Sequence, residues 1–302
     1  MGNAKKRSGS VASMLPVLLA CSFTASFGQS MMNVALPELA ERFGVTLSIA
    51  NWVIVGYMVV AATAIMLSAF MLRRLGLRRV FFVGAGALAL GSACALLSQD
   101  FPMLFASRLV QAVGTGLFFP SVTSVIMTNS PAAVRGTRLA LNSGVIAVGL
   151  AISPTASGFA LTQFGWRAMF VVSLAMSVAL LAVGFFRIHG GPSTKRVPID
   201  ALSVMLGPLG LAAFLYGLGE VTRDLAPSLA ALAVGAVLLA LFAWRQFALE
   251  SPLLDLHPLV HPRFAVGILL VMVGMLTSFS MSILLPLYYE GALGFSAFLA
   301  GA

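Results

Sequence analysis

Nine long stretches free of Lys, Arg, Asp and Glu limit what this chain can fold into. They cover residues 8–37, 43–72, 80–99, 109–134, 139–166, 168–186, 201–219, 225–244 and 264–289. A helix rises about 1.5 Å per residue and the hydrocarbon core of a bilayer is about 30 Å thick, so about 20 apolar residues cross it once. Each stretch suits a single crossing. Backbone groups in lipid must be satisfied within their own segment, so the runs read as transmembrane helices. Membrane strands would alternate in polarity over about 9–11 residues, and no such alternation occurs. The fourth run reads as beginning earlier, near Met103, which places Arg108 inside a span. The expected fold class is all-α, a polytopic membrane helix bundle.

Charge supports this reading. Only 9% of the 302 residues are charged and 60% are hydrophobic, against about 25% and 45–50% in a soluble domain. Such a chain has too little polar side chain to cover a water-exposed surface. The net charge of +9 ordinarily raises nucleic-acid binding, but here the basic residues cluster between apolar runs, as positive-inside loops do. With the N-terminus inside, the cytoplasmic side receives Lys5, Lys6, Arg7, Arg73, Arg74, Arg78, Arg79, Arg135, Arg138, Arg187, Lys195, Arg196, Arg245 and Arg263. The other side receives Arg42, Arg167 and Arg223. Lys5–Arg7 before an apolar run also fits a signal peptide, but the run is long and eight more follow, so it reads as an uncleaved first helix. Cys21 and Cys94 lie inside apolar runs and point to neither disulfide nor metal.

Polar breaks divide the chain into a six-helix block (1–186), a connection with a helix pair (187–249), and the start of a further block (250–302). The uncharged tail 291–302 starts like a tenth span and stops too early to cross, so the bundle reads as unfinished. His189, His257 and His261 fall in the breaks; Pro258 between the last two, and the lack of an accompanying carboxylate-rich helix, favour an interfacial loop over a metal site.

No hydrolase, kinase, phosphate-loop or metal signature appears, and no cofactor is expected. Arg108 is the most informative residue, because a cation within a span costs about 2.5–3.5 kcal/mol and usually faces a partner or a cavity. Gln111 and Thr115 follow at i+3 and i+7, forming one stripe of the fourth helix. Gln29 and Asn33 share a face of the first helix, and Asn142 lies on the fifth with the run Ser153, Pro154 and Thr155. These polar faces are expected to meet around a water-accessible cavity; the competing reading has Arg108 snorkel to the nearer interface. All nine acidic residues lie in loops or at span ends. Pro154, flanked by Gly144, Gly149 and Gly158, predicts a kink in the fifth helix, either a static bend or a flexing element.

With these residues in view the chain resembles the major facilitator superfamily, in particular its fourteen-helix drug:proton antiporter-like branch. NVALPELAERF (33–43) is similar to the end of that branch's first helix, and NWVIVGYMV (51–59) to its second. AFMLRRLGLRR (69–79) resembles the loop between helices two and three. RLVQAVGTGLFFP (108–120) resembles the fourth-helix motif, GLAISPTASG (149–158) the antiporter motif of helix five, and GWRAMF (165–170) the start of helix six. Residues 252–302 resemble the approach to the second half. There are departures: the family's acid near the end of helix one falls on Gly28, the glycine and aspartate of the helix two–three loop fall on Ala69 and Arg73, and the glycine before the proline of helix five is Ser153.

The resemblance implies a secondary transporter working by alternating access, with a site at the midplane between two six-helix halves. Spans seven and eight would be an inserted pair, and span nine would open the second half. It further implies export of small organic molecules or drugs by proton antiport, with a small-molecule substrate, protons and the lipid bilayer as partners, in a bacterial cytoplasmic (inner) membrane. Arg108, Gln111, Thr115, Gln29, Asn33 and Asn142 are assigned to the cavity. Arg74, Gly76, Arg78 and Arg79 form the cytoplasmic gate loop, and Gly149, Pro154 and Gly158 the flexing helix. The alternative is a truncated, non-transporting remnant, or a half-bundle that needs a partner.

Overall fold

A computed structural model of the chain describes residues 2–188, 200–221, 224–249 and 252–291. The connection holding His189, Lys195 and Arg196, the residues Arg223 and Glu250, and the start of a tenth span beyond Gly291 lie outside the described residues. Two compact units form, Met1–Leu254 and Asp255–Ala302.

In the first unit the helices are α1 (Gly2–Ser30), the short α2 (Leu36–Phe43), α3 (Leu47–Leu75), α4 (Leu77–Leu96), α5 (Phe101–Asn129), α6 (Ala132–Phe164), α7 (Arg167–Arg187), α8 (Ala201–Glu220) and α9 (Leu225–Ala248). The second unit holds a 3-10 turn, His257–Val260, and α10 (Pro262–Gly291). Among the described residues, α3 through α9 are long and apolar enough to cross a membrane, and α1 and α10 contribute the apolar stretches Met14–Ser30 and Pro262–Thr277. The nine uncharged runs thus coincide with nine long helices.

Local chemistry sets the breaks. Asp100 caps α5 by accepting from the Met103 amide at 2.8 Å, with Pro102 in the first turn, where no amide donor is needed. Thr46 caps α3 through Ile49 N at 3.3 Å. Two boundaries differ from the charge-based reading. The first run stays uncharged to Pro37, yet α1 ends at Ser30 and the chain tightens through Asn33 N to Ser30 O (3.2 Å) and Ala35 N to Met32 O (3.1 Å) before Pro37 opens α2. Gln29 and Asn33 therefore do not share one helix. At the fourth run, Ser130–Pro131 ends α5, so Arg135 and Arg138 sit on α6; they reach back to the Ser130 carbonyl (3.2 Å) and Ser130 Oγ (3.1 Å).

The stretch 73–79 is scarcely a loop. Gly76 alone, at φ 79°, is both the C-cap of α3 and the N-cap of α4. Arg73 and Arg74 end α3, which suits the helix dipole, whereas Arg78 and Arg79 open α4 against it. Their common side of the bundle outweighs that modest penalty. All four are exposed, with Arg74 over the Phe70 ring and Arg78 over Phe82.

Helix α5 is the centre of the first unit. Its apolar window is 61% buried, against 22% for α6 and 17% for α9, and α1, α3, α4 and α6 pack against it. Lipid offers no hydrophobic drive for helix association, so close backbone approach through small residues does the packing. A Cβ on Gly114 would sit 2.5 Å from the Gly84 carbonyl oxygen of α4, and one on Gly116 would collide with the Ala61 carbonyl of α3.

The pair α8–α9 packs on itself and docks on α3. Trp52 stacks on Tyr216 (centroids 5.8 Å apart), and Ser48 Oγ donates to Glu220 Oε1 at 3.0 Å. At the opposite end Asp200 caps α8 and takes a forked pair from Arg245, Nε to Oδ2 at 2.6 Å and Nη2 to Oδ1 at 2.7 Å. Gln246 Nε2 donates to Ser203 Oγ at 2.7 Å, while its Oε1 accepts from Leu253 N at 2.9 Å. Arg245 holds the Asp200 carboxyl well below the usual carboxylate range. A depressed folded pKa means the contribution is complete above the ordinary value of about 3.9 and fades only as pH falls through the folded value. Asp200→Asn is therefore expected to speed amide exchange at the latched ends of α8 and α9 at neutral pH, with little change in α4 or α5. Equal acceleration throughout would contradict a local latch.

In the second unit, Asp255 Oδ1 lies 2.9 Å from His257 Nδ1, and this hydrogen bond lowers the exposed Asp255 carboxyl.

Candidate functional site

Two apolar clusters, both built on α1, α4, α5 and α7, lie on either side of a polar layer. One contains Leu18, Cys21, Phe81, Leu88, Phe118 and Ile126; the other contains Phe27, Met31, Leu39, Leu104, Trp166 and Phe170. Between them lie Tyr57 on α3, Ser92 on α4, Arg108, Gln111 and Thr115 on α5, and Ser173 on α7, all buried.

Arg108 is the centre. It has no exposed surface and turns inward, so it does not snorkel. Its Nη1 donates to the Gly28 carbonyl at 3.0 Å and to Gln111 Oε1 at 2.7 Å. Its Cζ lies 4.1 Å from the centroid of the Tyr57 ring. Gln111 is oriented in turn by donating from Nε2 to Ser92 Oγ at 2.7 Å, and Ser92 Oγ is 3.0 Å from Ser173 Oγ. On the other side Tyr57 Oη and Thr115 Oγ1 are 2.6 Å apart, and Thr115 donates to the Ala25 carbonyl at 3.4 Å. Hydrogen bonds from a charged donor contribute about 1.5–3 kcal/mol each and a desolvated cation–π contact about 2 kcal/mol. Together they offset the roughly 2.5–3.5 kcal/mol insertion penalty of an arginine at a span centre. The remaining nitrogens, Nε and Nη2, are buried and face no acceptor.

The predicted stripe of Arg108, Gln111 and Thr115 thus comes together, and the other candidates lie apart from it. Asn142 is buried but accepts from Ser22 Oγ at 2.7 Å, tying α6 to α1. Gln29 is half-buried and Asn33 is exposed in the turn after α1. The polar faces meet in closed packing here. A groove of about 330 Å³ between α1 and α7 is apolar, lined by Val17, Phe23, Met176 and Leu180 among others, and it does not include the Arg108 cluster. On α6, Ser153 Oγ donates to the Phe27 carbonyl at 2.7 Å beside Pro154, which lies inside the helix. A Cβ on Gly149 would collide with Ser26, whereas one on Gly158 would have Val34 at 3.7 Å.

Tyr57, Ser92 and Ser173 were not among the residues expected from sequence. Tyr57 is the only tyrosine in its run, which is a usable signal; single serines in apolar runs serve packing as often as polar networks.

A bundle of membrane-length helices packed around a buried arginine network defines a polytopic integral membrane protein. The chain belongs to the Major Facilitator Superfamily, whose profile matches residues 18–302. It is 30% identical over 292 residues to the uncharacterized MFS-type transporter YhcA of Bacillus subtilis, covering 96% of this chain and 55% of that protein. It is 32% identical over 286 residues to the lincomycin resistance protein LmrB of Listeria monocytogenes, covering 94% of this chain and 61% of that one. The chain therefore spans little more than half the length of these relatives. Among solved structures, the POT family transporter PepTSo aligns with a TM-score of 0.56 at 16% identity, over 76% of this chain and 51% of that one; this likeness concerns the fold alone.

Proposed function

We propose that the chain carries the first half of a secondary transporter that exports small organic molecules by alternating access, with proton antiport as its coupling. The observation that carries the reading is the fully buried Arg108 network in a member of this superfamily, where a charge is retained against its insertion cost. The similarity to a lincomycin resistance protein supports antibiotics and related drugs as the substrate class. Residues 1–186 act as the N-terminal half, 187–249 as the connection and inserted pair, and 250–302 as the start of the C-terminal half. Arg108, Gln111 and Thr115 serve the transport site, with Gln29 and Asn33 on its approaches and Asn142 fixing α6 to α1 beside it. Arg74, Gly76, Arg78 and Arg79 form the gate at the cytoplasmic face, and Gly149, Pro154 and Gly158 the bending region of α6. The bias of basic residues supports a cytoplasmic N-terminus, in a bacterial inner membrane.

The test is efflux of a fluorescent cation and a fluorescent anion from cells expressing the chain, beside an empty vector, with membrane insertion checked in the same cells. Efflux of at least one dye above the control is expected, and a protonophore should collapse it. No efflux of either dye from cells with well-inserted protein would refute transport by this chain alone and favour a half-bundle that needs a partner, and efflux indifferent to a protonophore would refute proton coupling.

A further inference from the structure

We infer that the Nε–Nη2 edge of Arg108 is the seat for a negatively charged group of the cargo, so that the substrates include organic anions bearing a carboxylate; this deepens, and rests on, the transporter reading. Nε and Nη2 together form the side-on fork of a guanidinium, which matches the two oxygens of a carboxylate. Both nitrogens are buried and unpartnered, while Nη1 alone makes the two bonds that fix the group to Gly28 and Gln111. The same edge is occupied where another arginine of this chain meets a carboxylate. Arg245 uses Nε and Nη2 on the two oxygens of Asp200, at 2.6 and 2.7 Å.

No described carboxylate side chain lies within a span to fill that role for Arg108. Asp100 and Asp200 are helix caps, Glu38 and Glu41 lie on α2, Glu220 and Asp224 lie at the ends of α8 and α9, and Asp255 precedes α10. Beside the guanidinium, α1 presents Gly28, and a Cβ built there would meet only Tyr57 Oη, at 3.9 Å. The guanidinium is thus held by Nη1 and by the Tyr57 face, next to a glycine whose added Cβ fits. Leaving a buried donor unpaired is costly, and an anionic cargo removes that cost on two donors at once.

The test is binding of fluorescein, a xanthene dye with a free carboxylate, to the full chain in lipid nanodiscs. Rhodamine 6G, a cation of similar size whose carboxyl is esterified, is the comparison, and both are read by fluorescence anisotropy. Saturable fluorescein binding is expected, weakened about tenfold or more by Arg108→Gln. Gly28→Asp should weaken it similarly, by supplying an internal carboxylate to the fork, at a position where the added Cβ fits. That second variant separates loss of the seat from loss of the fold. Fluorescein binding that survives both substitutions, or a wild-type chain that binds rhodamine 6G and rejects fluorescein, would overturn the proposal. Export of rhodamine 6G without Arg108-dependent fluorescein binding would overturn it and spare the transporter reading. Arg108-dependent binding with no export of either dye would sustain the seat and sink transport by this chain alone.

Discussion

Replacing Arg108 with methionine is expected to leave the bundle about as stable as before and to lower transport on the order of 100-fold. The two halves of this expectation have different causes. A buried ion exchanged for an apolar side chain of similar length is often neutral or stabilising, because the desolvation penalty disappears with the charge. Against that, the Gly28 carbonyl and Gln111 Oε1 lose their donor. The gain and the loss are each a few kcal/mol. Transport has no such compensation: the two charge-assisted bonds proposed to cargo, at about 1.5 kcal/mol each, correspond to about 100-fold. Thermal unfolding in detergent and dye efflux, measured on the same preparation, separate the outcomes. A large drop in thermal stability with residual transport would make Arg108 a structural residue and remove it from the site.

Gly116→Leu is the second large effect, and it acts on the fold. The new Cβ would land on the Ala61 carbonyl of α3 and the Ala64 methyl, while two residues away Gly114 already has the Gly84 carbonyl and Leu88 of α4 against it. Helix α5 has no direction in which to retreat. Overpacking costs about 1–3 kcal/mol where side chains can yield, and more where backbone must move. The expected result is loss of the monodisperse, folded fraction in detergent, at unchanged synthesis. Gly86→Leu is the control, because nothing lies within 4 Å of a Cβ at Gly86. If both variants behave alike, close backbone approach is not what holds α3, α4 and α5 together.

The number and order of the long described helices were legible because lipid forbids charges over some 20 residues, and that exclusion is easy to read. The ends of helices are decided by other means, and there the charge pattern misleads. Pro37 and the tightened turn before it close α1 seven residues ahead of the uncharged run's end, and Pro131 restarts the chain before Arg135. The site was legible where three polar residues share one helix face, as Arg108, Gln111 and Thr115 do. It was hidden where a single residue on another helix completes the network. Ser92 and Ser173 meet only after α4 and α7 pack, and Gly28 takes part through its carbonyl, which every residue has. Asn142 was as polar as Gln111 in the sequence, but its partner Ser22 on α1 uses it for packing.

The latch of Asp200, Arg245, Ser203 and Gln246 bears on how the molecule is made. Its members lie within 50 residues of one another, as do the small-residue contacts of Gly210 with Leu239 and of Gly235 with Phe214. The α8–α9 pair can therefore close on itself as soon as its second helix leaves the ribosome, without waiting for any distant segment, since short loops close at low entropic cost. The α3–α5 and α1–α6 contacts join segments farther apart in the chain and close over longer connections. The α8–α9 hairpin is thus a self-closing unit within the bundle, and damage to the latch should appear as a late-translation defect confined to that hairpin.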